Sequence, residues 1–235
     1  MPEEINRILT DRVSSLLFTP SAIASDNLEK EGGSPSSVFQ VGNVMYDAVL
    51  NNIRASHASS TVLKELSVTP EDYYLVTLHR AENTDNSTLL NFLSDELMAL
   101  ASTKKILSPL HPRTRKALSR IGLLERMASE ITLIEPRGYL DTLTLIENAS
   151  LVLTDSGGMQ KEAMFLKTPC ITLRKETEWL ETLDAGVNCL FHTESGALTK
   201  LARRQLAKEL VFEQTPYGKG QAASSIATHL VNFLT

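Results

Sequence analysis

Ser150-Leu151-Val152-Leu153-Thr154-Asp155-Ser156-Gly157-Gly158-Met159-Gln160-Lys161-Glu162-Ala163-Met164 reads as a strand that turns at once into a helix. The apolar run before Asp155 is short, continuous and rich in branched side chains, the pattern of a strand covered on both faces. The paired glycines mark a tight turn, and apolar residues then recur at three- and four-residue spacing. Outward from this stretch the same alternation repeats. Strands are expected at YYLVTLH (73–79), KKILSPL (104–110), ITLIE (131–135), PCITLR (169–174) and, more weakly, NCLF (188–191). Between them 86–102, 112–127, 138–149 and 157–167 carry helical periodicity. Strands alternating with helices predict an α/β fold with a doubly wound, Rossmann-like parallel sheet.

Residues 1–55 follow the same logic with fewer elements: a helix from about Pro2 to Ser14, a strand at 15–20, a helix at 21–32, a strand at 38–42 and a helix at 43–55. Two strands do not make a sheet with its own core. The polar stretch 55–72 lacks a strand signal and has room for one short helix, so the division is placed between residues 58 and 59. The final helix is grouped with the second part.

Composition narrows the function. The 235 residues include 23 Lys and Arg against 28 Asp and Glu, a formal charge of −5, which gives no general attraction to nucleic acid or to anionic membranes. Cys170 and Cys189 sit in apolar runs and read as free thiols, and the sequence has no Cys/His cluster at metal-ligand spacing. MPEEINR (1–7) is charged rather than an apolar leader, and no apolar run reaches the ~20 residues of a bilayer span. The expectation is a soluble, cytoplasmic protein with no metal and no membrane contact.

In open α/β sheets ligands bind beyond the carboxyl ends of the strands. Five successive strand ends here are polar or charged: His79-Arg80-Ala81-Glu82-Asn83, His111-Pro112-Arg113, Pro136-Arg137-Gly138, Asp155-Ser156-Gly157-Gly158 and Arg174-Lys175-Glu176. At the fourth, the N–H groups of Ser156, Gly157 and Gly158 open a helix whose dipole favours an anion such as a pyrophosphate. Neither a P-loop nor GxGxxG is present. Glu162, about one and two-thirds turns on, is placed to accept hydrogen bonds from sugar hydroxyls. The same residues also fit a packing turn with Glu162 on a solvated face. His79 fits either a structural histidine or a phosphate contact or proton carrier, and His111 repeats its position on the next strand.

These motifs together resemble the non-hydrolysing UDP-N-acetylglucosamine 2-epimerase family. The match is carried in order by MPEEINR (1–7), VGN (41–43), LHRAEN (78–83), HPRT (111–114), LTDSGGMQKEA (153–163), RKETEWLET (174–182), AGVN (185–188) and PYGKGQAA (216–223). The resemblance implies a two-domain, glycosyltransferase-B-like architecture and interconversion of UDP-GlcNAc and UDP-ManNAc by UDP elimination and re-addition, with no cofactor. It makes Glu3 and His79 catalytic. It places Arg137 at the uracil, Ser156, Gly157 and Gly158 at the diphosphate and Glu162 at the ribose. Arg80 and His111 match residues that, in bacterial relatives, help hold a second, regulatory UDP-GlcNAc, so their contacts here are either regulatory or with substrate. The implied partners are UDP-GlcNAc, UDP-ManNAc, UDP and a second copy of the chain in a homodimer.

Two residues depart from the family pattern. Thr142 stands where relatives often carry an aromatic on the uracil, and Trp179 replaces an arginine of one branch. Relatives are also roughly half as long again. The resemblance therefore divides the chain into residues 1–58, the tail end of an N-terminal Rossmann-like domain, and 59–235, a C-terminal UDP-binding domain with its final helix. Two further family carboxylates have no counterpart here, so the isolated chain is expected to bind UDP with little or no turnover. Two other functions stay open: a non-catalytic UDP-sugar-binding module or remnant, and a transferase domain of glycosyltransferase-B type.

Overall fold

The run Leu151–Thr154 lies at the centre of a six-stranded parallel sheet. The computed structural model describes residues 2–212 and 216–235, with Pro2 and Glu3 described in their backbone alone. In chain order the strands are β1 (Leu17–Thr19), β2 (Val38–Gln40), β3 (Tyr73–Thr77), β4 (Lys105–Pro109), β5 (Thr132–Ile134), β6 (Leu151–Thr154), β7 (Cys170–Thr172) and β8 (Asn188–Leu190). The chain forms two compact units, residues 52–213 and residues 1–51 with 214–235.

The larger unit holds the sheet in the order β5-β4-β3-β6-β7-β8, all neighbours parallel. Counted within this unit the order is 3-2-1-4-5-6, which reverses direction between β3 and β6. Side chains alternate along β3. Tyr73 and Leu75 join one buried cluster with Leu107, Leu145, Val152 and Ala163, while Tyr74 and Val76 join another with Leu90, Leu93, Ile106 and Leu118. Both sheet faces are thus covered, and each fully buried Leu or Ile contributes about 1.5–3 kcal/mol. The hydroxyl of Tyr73, carried into this interior, donates to the Leu145 carbonyl at 2.7 Å. Cys170 and Cys189 lie on adjoining strands as free thiols.

Two helical expectations shift in detail. The periodic stretch 112–127 forms two helices, Pro112–Arg120 and Leu124–Glu130. Gly122 lies between them with φ +72°, a left-handed turn that ends the first helix. The stretch 55–72 contains the end of helix Val44–Ser59 and the short helix Val62–Glu65.

In the smaller unit β1 and β2 pair in parallel, joined by helix Ala22–Lys30, which the Ser21 side chain caps. The last helix, Ala222–Leu234, belongs to this unit, and both carboxylate oxygens of Asp47 accept from its first amides, Ala222 N at 3.1 Å and Ala223 N at 2.8 Å. The backbones of Gly42 and Gly218 meet alongside. A Cβ on Gly42 would fall 2.7 Å from the Tyr217 carbonyl oxygen, and one on Gly218 would fall 3.2 Å from the Gly42 Cα. Both glycines have positive φ, so the VGN and PYGKG motifs need them for conformation as well as for space. Among the described residues no helix is long and apolar enough to cross a membrane.

Candidate functional site

The crevice where the strand order reverses is built around a carboxylate. Asp155 directly follows β6 and is 0% exposed. Its Oδ2 accepts from the amides of His79 (3.0 Å) and Arg80 (2.8 Å) and from Asn83 Nδ2 (3.0 Å). Its Oδ1 lies 3.2 Å from His79 Nδ1. Asn83 also donates to the Leu173 carbonyl at 3.1 Å, so the chain leaving β3 is pinned to the ends of both β6 and β7. In the sequence Asp155 is one polar strand-end residue among several, with nothing local to mark it as this hub. Burial alone raises its pKa, but the His79 ring, the Arg80 amide and Asn83 outweigh that and hold it below the ordinary carboxylate range. The same hydrogen bond raises the His79 imidazole above its ordinary value, against burial and the nearby Arg80 and Arg113 charges.

His79 therefore donates Nδ1–H to Asp155 and turns the rest of its ring to a cleft of about 180 Å³, shared with His111, Arg137, Thr142, Ser156 and Met159. The two imidazoles lie 5.7 Å apart. His111 also caps a helix, its Nδ1 accepting from the Arg113 amide at 3.1 Å. Arg113 pairs with Asp85 at 3.2 Å. Across the cleft Arg137 pairs with Glu65 at 2.9 Å, while its buried Nε has no hydrogen-bond partner.

Helix Gly157–Phe165 begins at the floor of this crevice. The Ser156 amide donates to Thr154 Oγ1 at 3.0 Å, and the Ser156 hydroxyl accepts from the Met159 amide at 3.4 Å. Of the three expected anion donors, the Ser156 amide is thereby engaged within the turn while its hydroxyl keeps a hydrogen to donate into the cleft, and the amides of Gly157 and Gly158 open the helix. Glu162 does not stand on a solvated face. Burial pushes its carboxyl up, and it takes a hydrogen bond from the hydroxyl of Tyr139. Tyr139 is pushed up to about 12 by burial and by the Glu162 charge. Nothing in the sequence singled out Tyr139, because its partner is 23 positions away on another helix.

Arg80 reaches over the glycines and lies 3.4 Å from Glu178, whose carboxylate also holds Arg174 at 2.9 Å. The structure thus places His79, Arg80, His111, Arg137, Ser156, Gly157, Gly158 and Glu162 beyond the carboxyl ends of the strands of the larger unit. Glu3 belongs to helix Pro2–Val13 in the other unit, and its side chain lies outside the described residues. Among the described residues no group of three or more His, Cys, Asp or Glu side chains is arranged to hold a metal ion.

Comparisons with known proteins fit this geometry. The family model described as UDP-N-acetylglucosamine 2-epimerase matches residues 1–231. A UDP-N-acetylglucosamine 2-epimerase of Methanocaldococcus jannaschii is 42% identical over 232 residues, 96% of this chain and 63% of that protein. A UDP-2,3-diacetamido-2,3-dideoxy-D-glucuronate 2-epimerase of Pseudomonas aeruginosa is 42% identical over 234 residues, 98% of this chain and 63% of that protein. The crystal structure of the M. jannaschii UDP-GlcNAc 2-epimerase in complex with UDP-GlcNAc and UDP superposes with a TM-score of 0.88 at 41% identity, covering 99% of this chain and 65% of that one. The chain thus spans a little under two thirds of these relatives, and its α/β fold is glycosyltransferase-B-like. With its switch-point crevice, its Asp155-anchored histidine loop and a match along 1–231, this chain belongs to the UDP-N-acetylglucosamine 2-epimerase family.

Proposed function

We propose that this chain carries the nucleotide half of a UDP-sugar 2-epimerase site that interconverts UDP-GlcNAc and UDP-ManNAc. The observation that carries the reading is the pair of amides at Gly157 and Gly158, set at the switch point beside an imidazole that Asp155 keeps prone to protonation. Two relatives of equal identity, named for UDP-GlcNAc and for a UDP-diacetamido-glucuronate, have in common UDP, a C2 acetamido group and epimerisation at C2. The recognition expected of this unit is therefore of UDP.

In this reading Arg137 faces the uracil, Glu162 with Tyr139 the ribose, and the Gly157 and Gly158 amides the diphosphate. The reaction removes the C2 proton and breaks the bond from C1 to the UDP oxygen, leaving a 2-acetamidoglucal and UDP. The proton returns to the opposite face of C2 and UDP re-adds at C1. Charge builds on the departing diphosphate, where the helix dipole, the two amides and an imidazolium at His79 stabilise it. Glu3 is proposed, from the resemblance alone, as a carboxylate in the proton transfers. Arg80 and His111 sit where a second nucleotide sugar or the substrate itself would be held. The same reading makes the protein a cytoplasmic homodimer working without metal or nicotinamide.

Titration calorimetry with UDP and UDP-GlcNAc, joined to an NMR assay of C2 proton exchange and epimerisation, tests it. Saturable UDP binding that His79→Gln or Arg137→Ala weakens supports the proposal. Absence of UDP binding to the folded chain overturns it.

A further inference from the structure

Trp179, the chain's single tryptophan, approaches the same helix start from the loop after β7. A Cβ added to Gly157 would lie 3.0 Å from the indole Nε1 and 3.6 Å from Arg80 Nη2, so the missing side chain is what lets both groups reach the first turn. The indole rests on a buried cation. Lys161 is 6% exposed, and its Nζ lies 3.4 Å from the centre of the Trp179 ring. Glu162, Glu181 and Glu178 act on this ammonium through space. Burial accordingly lowers the Lys161 pKa.

A desolvated ammonium is costly. An ammonium against an aromatic face also draws electron density from the ring and makes the indole N–H a stronger donor. Both effects are relieved by one event, the arrival of negative charge next to Nε1 at the mouth of the helix.

We infer that the indole N–H of Trp179 is a third donor to the anion bound by the Gly157 and Gly158 amides, with Lys161 as the positioning residue beneath it. The inference rests on the reading of this crevice as the site of a nucleoside diphosphate and adds to it a residue that recognises phosphate rather than base. Since the chain has one tryptophan, binding reports on itself.

The test titrates the full chain with UDP and follows heat and tryptophan emission together. The emission is expected to move and to saturate with the heat. Trp179→Phe keeps a ring over Lys161 and removes the N–H, so UDP affinity should fall about tenfold or more, the factor for one hydrogen bond to a charged group. Affinity for uridine, which lacks phosphate, should not change. Lys161→Met should weaken UDP but not uridine, and Lys161→Arg, which retains the charge, should restore part of the loss even if the Met variant folds poorly. Normal heat with unmoved emission and an unweakened Trp179→Phe variant would overturn the inference and leave the nucleotide reading standing. An equal loss for UDP and uridine also overturns it, because that is the signature of a packing role. If wild type gives no heat with UDP, the nucleotide reading fails first and carries the inference with it.

Discussion

Replacing Asp155 with Asn preserves the side chain's shape and removes the charge on which the crevice is built. The best rotamer leaves the amide oxygen at the Oδ2 position, still accepting from the His79 and Arg80 amides and Asn83. Each bond then goes from charge-assisted, at about 1.5–3 kcal/mol, to neutral, at about 0.5–1.5 kcal/mol. Three such changes come to about 3 kcal/mol, reduced somewhat because a buried charge no longer has to be desolvated. The new NH2 faces His79 Nδ1, where it can only donate, so the ring must move its proton to Nε2. Asp155→Ala has no such fallback. It leaves four buried or half-buried donors without an acceptor at about 1–3 kcal/mol each, so its loss should exceed that of the Asn variant by several kcal/mol. Urea unfolding, followed at the sheet by circular dichroism, measures both.

Titration of His79 by NMR separates this account from one of lost packing. In wild type the Asp155 hydrogen bond raises the imidazole, while burial, Arg80 and Arg113 lower it. With the carboxylate gone only the lowering influences remain, so the Asn variant should titrate below the ordinary 6.5. The pH dependence of stability follows the same signs. His79 favours its charged form in the fold, so it contributes fully below the ordinary imidazole value, and that contribution is lost as pH rises through the raised one. Asp155 contributes above the ordinary carboxylate range, and its share is lost as pH falls through the depressed value. Asp155→Asn should flatten both limbs. A variant within about 1 kcal/mol of wild type, with His79 titrating as before, would refute the claim that this carboxylate organises the site.

Four other outcomes are expected. Gly157→Ala puts a Cβ 3.0 Å from Trp179 Nε1 and should lower UDP affinity about tenfold, while helix propensity keeps the urea midpoint near wild type; calorimetry and urea titration read the two effects separately. Gly42→Ala combines a φ of +89° with a contact of 2.7 Å to the Tyr217 carbonyl, and should destabilise the smaller unit by about 2 kcal/mol or more while leaving UDP heats unchanged. Tyr73→Phe removes the hydroxyl from the Leu145 carbonyl at a cost of about 1 kcal/mol, seen as a shift in urea midpoint without change in m-value. Ile5, Leu9 and Val13 form an exposed apolar stripe on helix Pro2–Val13, so the light-scattering mass should rise with concentration and Leu9→Glu should reduce that rise.

What the sequence made legible and what it hid divide along a physical line. The strands around β3 and β6 were readable because burial on both faces leaves a local mark, a run of apolar residues with a polar end. Pro112–Arg120 and Leu124–Glu130 read as one helix because periodicity persists across Gly122, whose left-handed turn breaks hydrogen bonds without breaking the apolar pattern. By sequence position the last helix goes with its neighbours, whereas in the structure it belongs to the smaller unit, where Asp47, 175 positions earlier, accepts from its first amide. At the site, the Gly-Gly turn marks the helix start locally. The partners of that turn are not so marked, since Asp155 becomes a buried hub only once β3 lies beside β6, and Tyr139 meets Glu162 only through helix packing. Such residues have no local signature to distinguish them from surface polar groups. The sequence is therefore most legible for the backbone that opens the helix and least legible for the side chains packed around it, and the variants at Asp155, Trp179 and Lys161 probe that second set.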